Sequence, residues 1–184
     1  MGVHYIELWA DRMPTLHVIS FDLGKAAFTR VPTVEDPRWT GKFEDDPEEI
    51  LLARLMFGEA RNQPHEAMVW IAGSVLNRVK ARAWPNTIHE VILQPHQYDP
   101  FKSSDRNYPY VIDPFKDHKE IDQKVWYESY AIAREIISGK LHNPTEATHF
   151  HGLGVSRERF MKIIGPEGRF LRTIGDTSFY WAPH

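Results

Sequence analysis

Two stretches carry side chains able to do chemistry. In 51–78, LLARLMFGEARNQPHEAMVWIAGSVLNR, one carboxylate, Glu59, follows an apolar run and Gly58. A charge set among apolar side chains is costly to bury, so Glu59 needs either a partner or a use. Arg54, Arg61 or a helix N-terminus could pair with it as a structural ion pair. Alternatively, Leu55, Met56 and Phe57 raise its pKa and keep a proton on it near neutral pH, the condition for a general acid. These residues alone leave both readings open. In the second stretch, His149-Phe150-His151 sets two imidazoles on one side of a strand, a spacing used by zinc sites, with His96 and Asp99 available to complete a ligand set. The chain has ten His, so such a pair is expected by chance, and no upstream ligand motif of a peptidase accompanies it.

The elements that must position these groups are legible from capping residues and periodicity. Asp46 is the expected N-cap of a first helix, with Pro47 at its first position and Glu48 and Glu49 in the first turn. The run 50–57 is apolar nearly all round, interrupted only by Arg54, which predicts a buried helix. Gly58 lets a neighbour approach the backbone. A second helix begins near Pro64, with Met68, Ile71, Ala72, Val75, Leu76 and Val79 on its core face. Glu66, one turn in, is expected to serve the helix dipole and point away from Glu59. Asn77 and Arg78 are expected to be structural, as a buried hydrogen bond and a salt link. Thr87 and Glu90 form a capping box for a short helix through Ile92 or Leu93.

The stretch 95–119 shows no periodicity and reads as a long loop. Its Tyr98, Phe101, Tyr108, Tyr110 and Phe115 suit either packing or stacking on sugar rings. A long helix is predicted over 120–138, with Ile121, Val125, Ile132, Ile136 and Ile137 inward and Gly139 as its stop. THFH at 148–151 has strand character, 156–164 reads as a short helix, and 168–181 as two strands around Gly175-Asp176. The fold class is α+β, mainly helical, with a small β-hairpin. Residues 1–45 read as an N-terminal arm or small extension and 46–184 as the catalytic domain. In the arm, TLHVISFD at 15–22 alternates like a strand, 31–39 is Pro-broken and extended, and Trp9, Phe28 and Trp39 are packing anchors.

Composition narrows the classes. The 184 residues are enough for one domain with a real core, and 42% hydrophobic content excludes a disordered chain. The absence of cysteine removes disulfides, a thiolate nucleophile and cysteine-ligated metal. The net charge is −3, with the acidic excess confined to the first 47 residues. No Lys/Arg cluster makes the basic face of a nucleic-acid binder, and no apolar run has the length of a membrane span. The first residues lack a basic start followed by an apolar segment, so no signal peptide is expected.

GEAR at 58–61 stands on LLARLMF. EAMVWIAGSVLNRVK at 66–80, WPNTIHEVILQPHQY at 84–98, ATHFH at 147–151 and IGDTSFYW at 174–181 follow. In this order and spacing the chain resembles the SleB-type cell wall hydrolases, peptidoglycan-cleaving enzymes of spores, phages and bacteria. The resemblance covers about the last three quarters of the chain, and 51–98 is its specific part. Such families commonly read GEARGE followed by EGQVAVA. Here Asn62 and Gln63 follow Arg61, and Ala67-Met68 replaces Gly-Gln, departures that leave the acid in place and bear on the groove.

The resemblance implies a lysozyme-like architecture with a groove beside Glu59, and it tips the balance toward Glu59 as the catalytic acid. The family's QP-x-Q-aromatic pattern lies close to the groove, so Gln94, Gln97 and Tyr98 are expected to bind substrate, with a role as structural loop caps as the alternative. His149 and Tyr180 are further expected substrate contacts, and no metal or cofactor is expected. Glycoside cleavage requires an acid on the leaving oxygen and a means of stabilising the oxocarbenium-like carbon. The resemblance implies a one-glutamate scheme, in which the muramic acid supplies the second group and a 1,6-anhydro sugar leaves. A lytic transglycosylase acting on MurNAc–GlcNAc strands is therefore expected over a hydrolysing muramidase. The rivals are a zinc-dependent amidase or peptidase built on His149 and His151, and a wall-binding phage module without catalysis. The expected partner is the peptidoglycan glycan strand and the expected state a monomer. Synthesis in the cytoplasm and action on the wall, through phage lysis, in a virion or after spore deposition, complete the expectation.

Overall fold

The computed structural model describes residues 30–183. Its centre is α1 (Glu48–Ala60), against which α2 (His65–Lys80), α3 (Ile88–Leu93), α4 (Tyr108–Ile112) and α5 (Glu120–Ile137) all pack. The continuous apolar run explains this position, because Ile50 to Phe57 are buried on every side of the helix. At Gly58 a Cβ would lie 2.7 Å from Pro100 Cβ and 2.8 Å from Val111 Cγ2, so the glycine admits the 95–119 segment onto the helix.

Two details differ from the sequence expectation at the helix start. Pro47 itself is the N-cap, and Asp46 makes no capping bond. Asp46 is buried instead against Arg54, with Arg54 Nε donating to its carboxylate at 2.6 Å. Arg54 also donates from Nη1 to the Val111 carbonyl and from Nη2 to the Pro37 carbonyl, each at 2.5 Å. The one polar residue inside the apolar run thus clamps three segments to α1. Desolvation pushes Asp46 up and Arg54 down, and their contact opposes both shifts.

The stretch 95–119 is not structureless. It holds a 3-10 turn at Asp99–Phe101 and the short α4. Most of its aromatic rings pin it down: Phe101 packs on Phe43 at 4.9 Å, Tyr108 on Trp39 at 6.3 Å, and Tyr110 donates its hydroxyl proton to Asp117 at 2.8 Å. On α5 the buried stripe is Asp122, Trp126, Ser129, Ile132, Ala133 and Ile136. Ile121, expected inward, is 63% exposed. The 4-3-4-3 spacing from Asp122 runs one residue past it, and Asp122 is drawn inward toward Arg61, 3.8 Å away.

The sheet has order β1-β3-β2 and is antiparallel, built from β1 (His149–His151), β2 (Arg169–Ile174) and β3 (Thr177–Trp181). Gly175 turns the β2–β3 hairpin with φ +56°, and Gln63 Oε1 accepts from Asp176 N at 2.7 Å, tying the hairpin to the corner between α1 and α2. Between β1 and β2 lies α6 (Arg157–Ile164), capped by Ser156, which accepts from Arg159 N. The mainly helical α+β expectation is met, as are the hairpin and the Thr87 cap.

Of the N-terminal arm, residues 30–45 run over the helices. Trp39 N donates to the Ile112 carbonyl and Trp126 Nε1 to the Val34 carbonyl, both at 2.8 Å. Trp39 stacks on Phe43 at 5.2 Å, an anchor as expected. The strand expected at 15–22 and the anchors Trp9 and Phe28 lie outside the described residues. Among the described residues, no helix is long and apolar enough to cross a membrane.

Candidate active site

Glu59 sits in the last turn of α1 and opens into a cleft of about 470 Å³. Gly58 and the apolar turn before it bring the side chain there half-buried. Neither arginine expected as an ion-pair partner takes it. Arg54 is spent on Asp46. Arg61 turns to Asp122, and its guanidinium lies 3.7 Å from the Tyr110 ring centre. Burial raises the Glu59 carboxyl from its ordinary 4.5 to about 7, and the negative charges of Asp99 and Asp105 add to the shift. A carboxylic acid that holds its proton to neutral pH and faces a cleft is equipped to donate that proton.

The remaining walls come from distant parts of the chain. α2 contributes Arg78, and the segment after α3 contributes Gln97, Tyr98 and Asp99. Arg106 precedes α4, Phe150 and His151 come from β1, and the loop 152–155 follows it. Arg78 is buried and bridges the walls. Its Nε donates to the Thr148 carbonyl at 2.5 Å, and its Nη1 to Gln97 Oε1 at 3.1 Å and to the Tyr98 hydroxyl oxygen at 3.0 Å. The salt link expected for Arg78 is therefore replaced by bonds to neutral acceptors. Asn77 is structural as expected, donating to the Thr145 and Ala147 carbonyls.

The residues expected to bind substrate are only partly brought together. Gln97 and Tyr98 line the cleft, with the Tyr98 ring stacked on Phe150 at 6.0 Å. Gln94 lines a separate hollow beside Phe43 and Phe101, where its Oε1 is buried without a hydrogen bond. His149 is absent from the cleft lining: its Nδ1 is 3.0 Å from Thr148 Oγ1 and its ring meets Trp84 edge-on. Tyr180 is fully buried in β3 and reaches the cleft only through His151. His151 Nδ1 lies 2.6 Å from the Gly152 carbonyl, which can only accept. That assigns the ring proton to Nδ1 and leaves Nε2 to accept from the Tyr180 hydroxyl at 2.9 Å.

His151 and Asp99 line the cleft, while His96 lines the separate hollow with Gln94. Among the described residues, no three His, Cys, Asp or Glu side chains gather in a metal-binding group. Glu66 pairs with Arg172 at 2.7 Å, away from Glu59, as its first-turn position implied.

Residues 62–180, well over half of the chain, match the family described as Cell Wall Hydrolase. The chain belongs to the cell wall hydrolase family. Over 45 residues this hydrolase is 44% identical to the spore cortex-lytic enzyme of Bacillus subtilis (strain 168), a match spanning 24% of this chain and 15% of that protein. Over 48 residues it is 38% identical to the spore cortex-lytic enzyme of Oceanobacillus iheyensis, spanning 26% and 17%. The chain thus aligns with less than a fifth of the length of these relatives. Among solved structures it is similar to the catalytic domain of the germination-specific lytic transglycosylase SleB from Bacillus anthracis. That likeness has a TM-score of 0.48 and 21% identity, and covers 72% of this chain and 92% of the other. The family match begins three residues beyond Glu59, so the role of Glu59 rests on its geometry.

Arg78, expected only as a structural salt link, and Asp99, considered only as a metal ligand, have other places in this site, and Asp105 was not singled out at all. A signal for Arg78 existed: it lies one helical turn past Ser74 and Val75 on the buried face of α2, with no acid three or four residues away. The two aspartates carried none, since only the fold of 95–119 brings them near Glu59. Asp99→Asn removes one of the two charges that favour the protonated form of Glu59. The Asp99 side chain is 72% exposed. The falling limb of the pH–rate profile is accordingly expected to move to lower pH by only a few tenths of a unit, the size an exposed charge interaction of about 0.2–1 kcal/mol allows. Wall-clearance rates between pH 5 and 9 measure it, and a limb that stays in place contradicts this coupling.

Proposed function

We propose that this cell wall hydrolase cleaves the MurNAc–GlcNAc backbone of peptidoglycan as a lytic transglycosylase, with Glu59 as its acid and then its base. The observation that carries the reading is the Glu59 carboxyl itself: half-buried, unpaired with either neighbouring arginine, raised to about 7 and facing the cleft. Glu59 gives its proton to the glycosidic oxygen as the C1–O bond breaks, and the GlcNAc leaves with a free 4-hydroxyl. The muramic 6-hydroxyl oxygen then bonds to C1, and its proton returns to Glu59. Water is neither consumed nor released, and the acid is restored.

Two features support a single-carboxylate scheme over one with a dedicated second carboxylate. Glu66 is engaged with Arg172, and Asp99, at the exposed edge of the cleft, is paired with Lys102, 2.5 Å away. Gln97 supplies an amide to the cleft wall, suited to neutral hydroxyl and acetamido groups.

Mass spectrometry of digested wall tests the proposal. Muropeptides ending in 1,6-anhydromuramic acid, one water lighter than muramidase products, are expected. Reducing-end muramic acid alone would overturn the transglycosylase step while keeping the glycan as substrate. Release of stem peptides with the glycan intact would discard the glycan-cleaving reading.

A further inference from the structure

Arg78 is a cation inside the cleft without an anion. It is 4% exposed, and each group that touches its guanidinium is neutral: the Thr148 carbonyl, the Gln97 amide oxygen, the Tyr98 hydroxyl and the Trp84 ring at 4.1 Å. Its Nη2 bonds to no described residue, yet it is not among the buried atoms left without a partner, so it remains accessible from the cleft. A buried charge with no counter-charge is costly, and a ligand carrying the opposite charge relieves that cost on binding. Arginine remains a cation here, since the guanidinium does not lose its proton in proteins.

The charges around it agree. Arg106 stands at the cleft wall and forms no ion pair among the described residues. Asp99 is held by Lys102. Glu59 is largely uncharged below about pH 7. With Asp99 paired to Lys102, the negative charge of Asp105 near Glu59 stands against Arg78 and Arg106, which leaves an excess of positive charge at the cleft on a chain whose formal net charge is −3. Gln97 and Tyr98 hold Nη1, and Thr148 holds Nε, so the planar fork is fixed in orientation before any ligand arrives.

We propose that Arg78 forms the floor of a subsite for a carboxylate carried by the muramic acid of the substrate, either the lactyl carboxylate itself or one on the attached stem peptide. The proposal rests on the glycan-cleaving reading and narrows its substrate class. Strands whose muramic acid bears a carboxylate are preferred over strands in which that group is neutral, as an amide or an internal lactam.

The test compares kcat/KM of the unmodified enzyme on three glycan preparations. These are strands with stem peptides, strands stripped to the free lactyl carboxylate, and strands with that carboxyl amidated. A charged hydrogen bond of ordinary strength makes the amidated strands poorer by about 10–100-fold, chiefly through KM. Because the lactyl carboxyl of a peptide-bearing strand is tied up as an amide, stripped strands exceeding the peptide-bearing ones identifies the lactyl group as the ligand. Only the peptide-bearing strands being favoured identifies the peptide, and both exceeding the amidated strands equally shows that the subsite takes either carboxylate. Arg78→Gln should level the three, removing the advantage of the anionic substrates over the amidated one whatever the loss of its bonds to Gln97 and Tyr98 does to the rate common to all. Arg78→Lys, which keeps the charge, should restore part of the preference. Equal kcat/KM on all three with the unmodified enzyme overturns the subsite while the glycan-cleaving reading stands, and that comparison needs no variant to fold. Should no preparation release glycan fragments, that reading fails instead. Calorimetric binding of the free-acid and amidated disaccharides to the same protein then decides the subsite: tighter binding of the acid supports it, equal or absent binding overturns it.

Discussion

Glu59→Gln is expected to lower the rate of wall cleavage by at least about 10²–10⁴-fold, the usual contribution of a general acid–base group, while the protein stays folded. Glutamine keeps the shape and much of the hydrogen bonding but has no proton to give as an acid. The pH dependence of stability separates this from a structural role. In the folded chain the Glu59 carboxyl holds its proton to about 7, against an ordinary value of 4.5. The folded state therefore binds more protons than the unfolded one between those values, and stability falls as pH rises through that window. Below about 4.5 both states are protonated and no penalty exists. Above about 7 the full penalty applies, of the order of 3 kcal/mol at 1.36 kcal/mol per unit. Glu59→Gln carries no such penalty, so it should melt above the parent at pH 8 and level with it near pH 4. A variant that clears wall at the parental rate, or that is destabilised at pH 8, would sink the assignment.

The second large effect lies away from the cleft. Asp46→Asn removes the carboxylate from a fully buried pair and leaves Arg54 without a counter-charge in the interior. Breaking one side of such a pair typically costs about 3–5 kcal/mol. Here Arg54 also holds the Val111 and Pro37 carbonyls, so the loss should loosen α4 and the 30–45 segment together. Urea denaturation is expected to show a much earlier midpoint, while the fraction that remains folded keeps its wall-clearing activity, since neither residue lines the cleft. Replacing both members by apolar residues of similar volume should recover most of the stability. A midpoint unchanged by Asp46→Asn would show that the pair contributes little.

The two substitutions also divide the chain's buried charges by purpose. Asp46 and Arg54 neutralise each other and join segments of the fold. Glu59 has no such partner, and Arg78 is held by neutral groups only. Both open onto the cleft, where a substrate can supply what the interior does not.

Sequence by itself determined the parts of this protein that depend on near neighbours. The apolar run 50–57 made α1 a buried helix, since its residues have no polar face to show to water. Thr87 and Ser156 started α3 and α6 because a hydroxyl there satisfies an orphan backbone N–H. Gly175 turned the hairpin because a positive φ costs glycine nothing. The setting of Glu59, a carboxyl next to an apolar turn, was legible for the same reason. Tertiary structure decided every question of partnership. Asp46 and Asp122, rather than Glu59, took the two nearby arginines. Arg78 from α2 and Asp99 from the 95–119 segment were brought to the cleft, with Asp105 of that same segment near enough to act on Glu59, and Gln94 and His149 were left outside its lining. Periodicity records which face of an element is buried; which charges meet there depends on how the 95–119 segment and β1 fold back over α1 and α2, a geometry to which residues far apart in the chain contribute together.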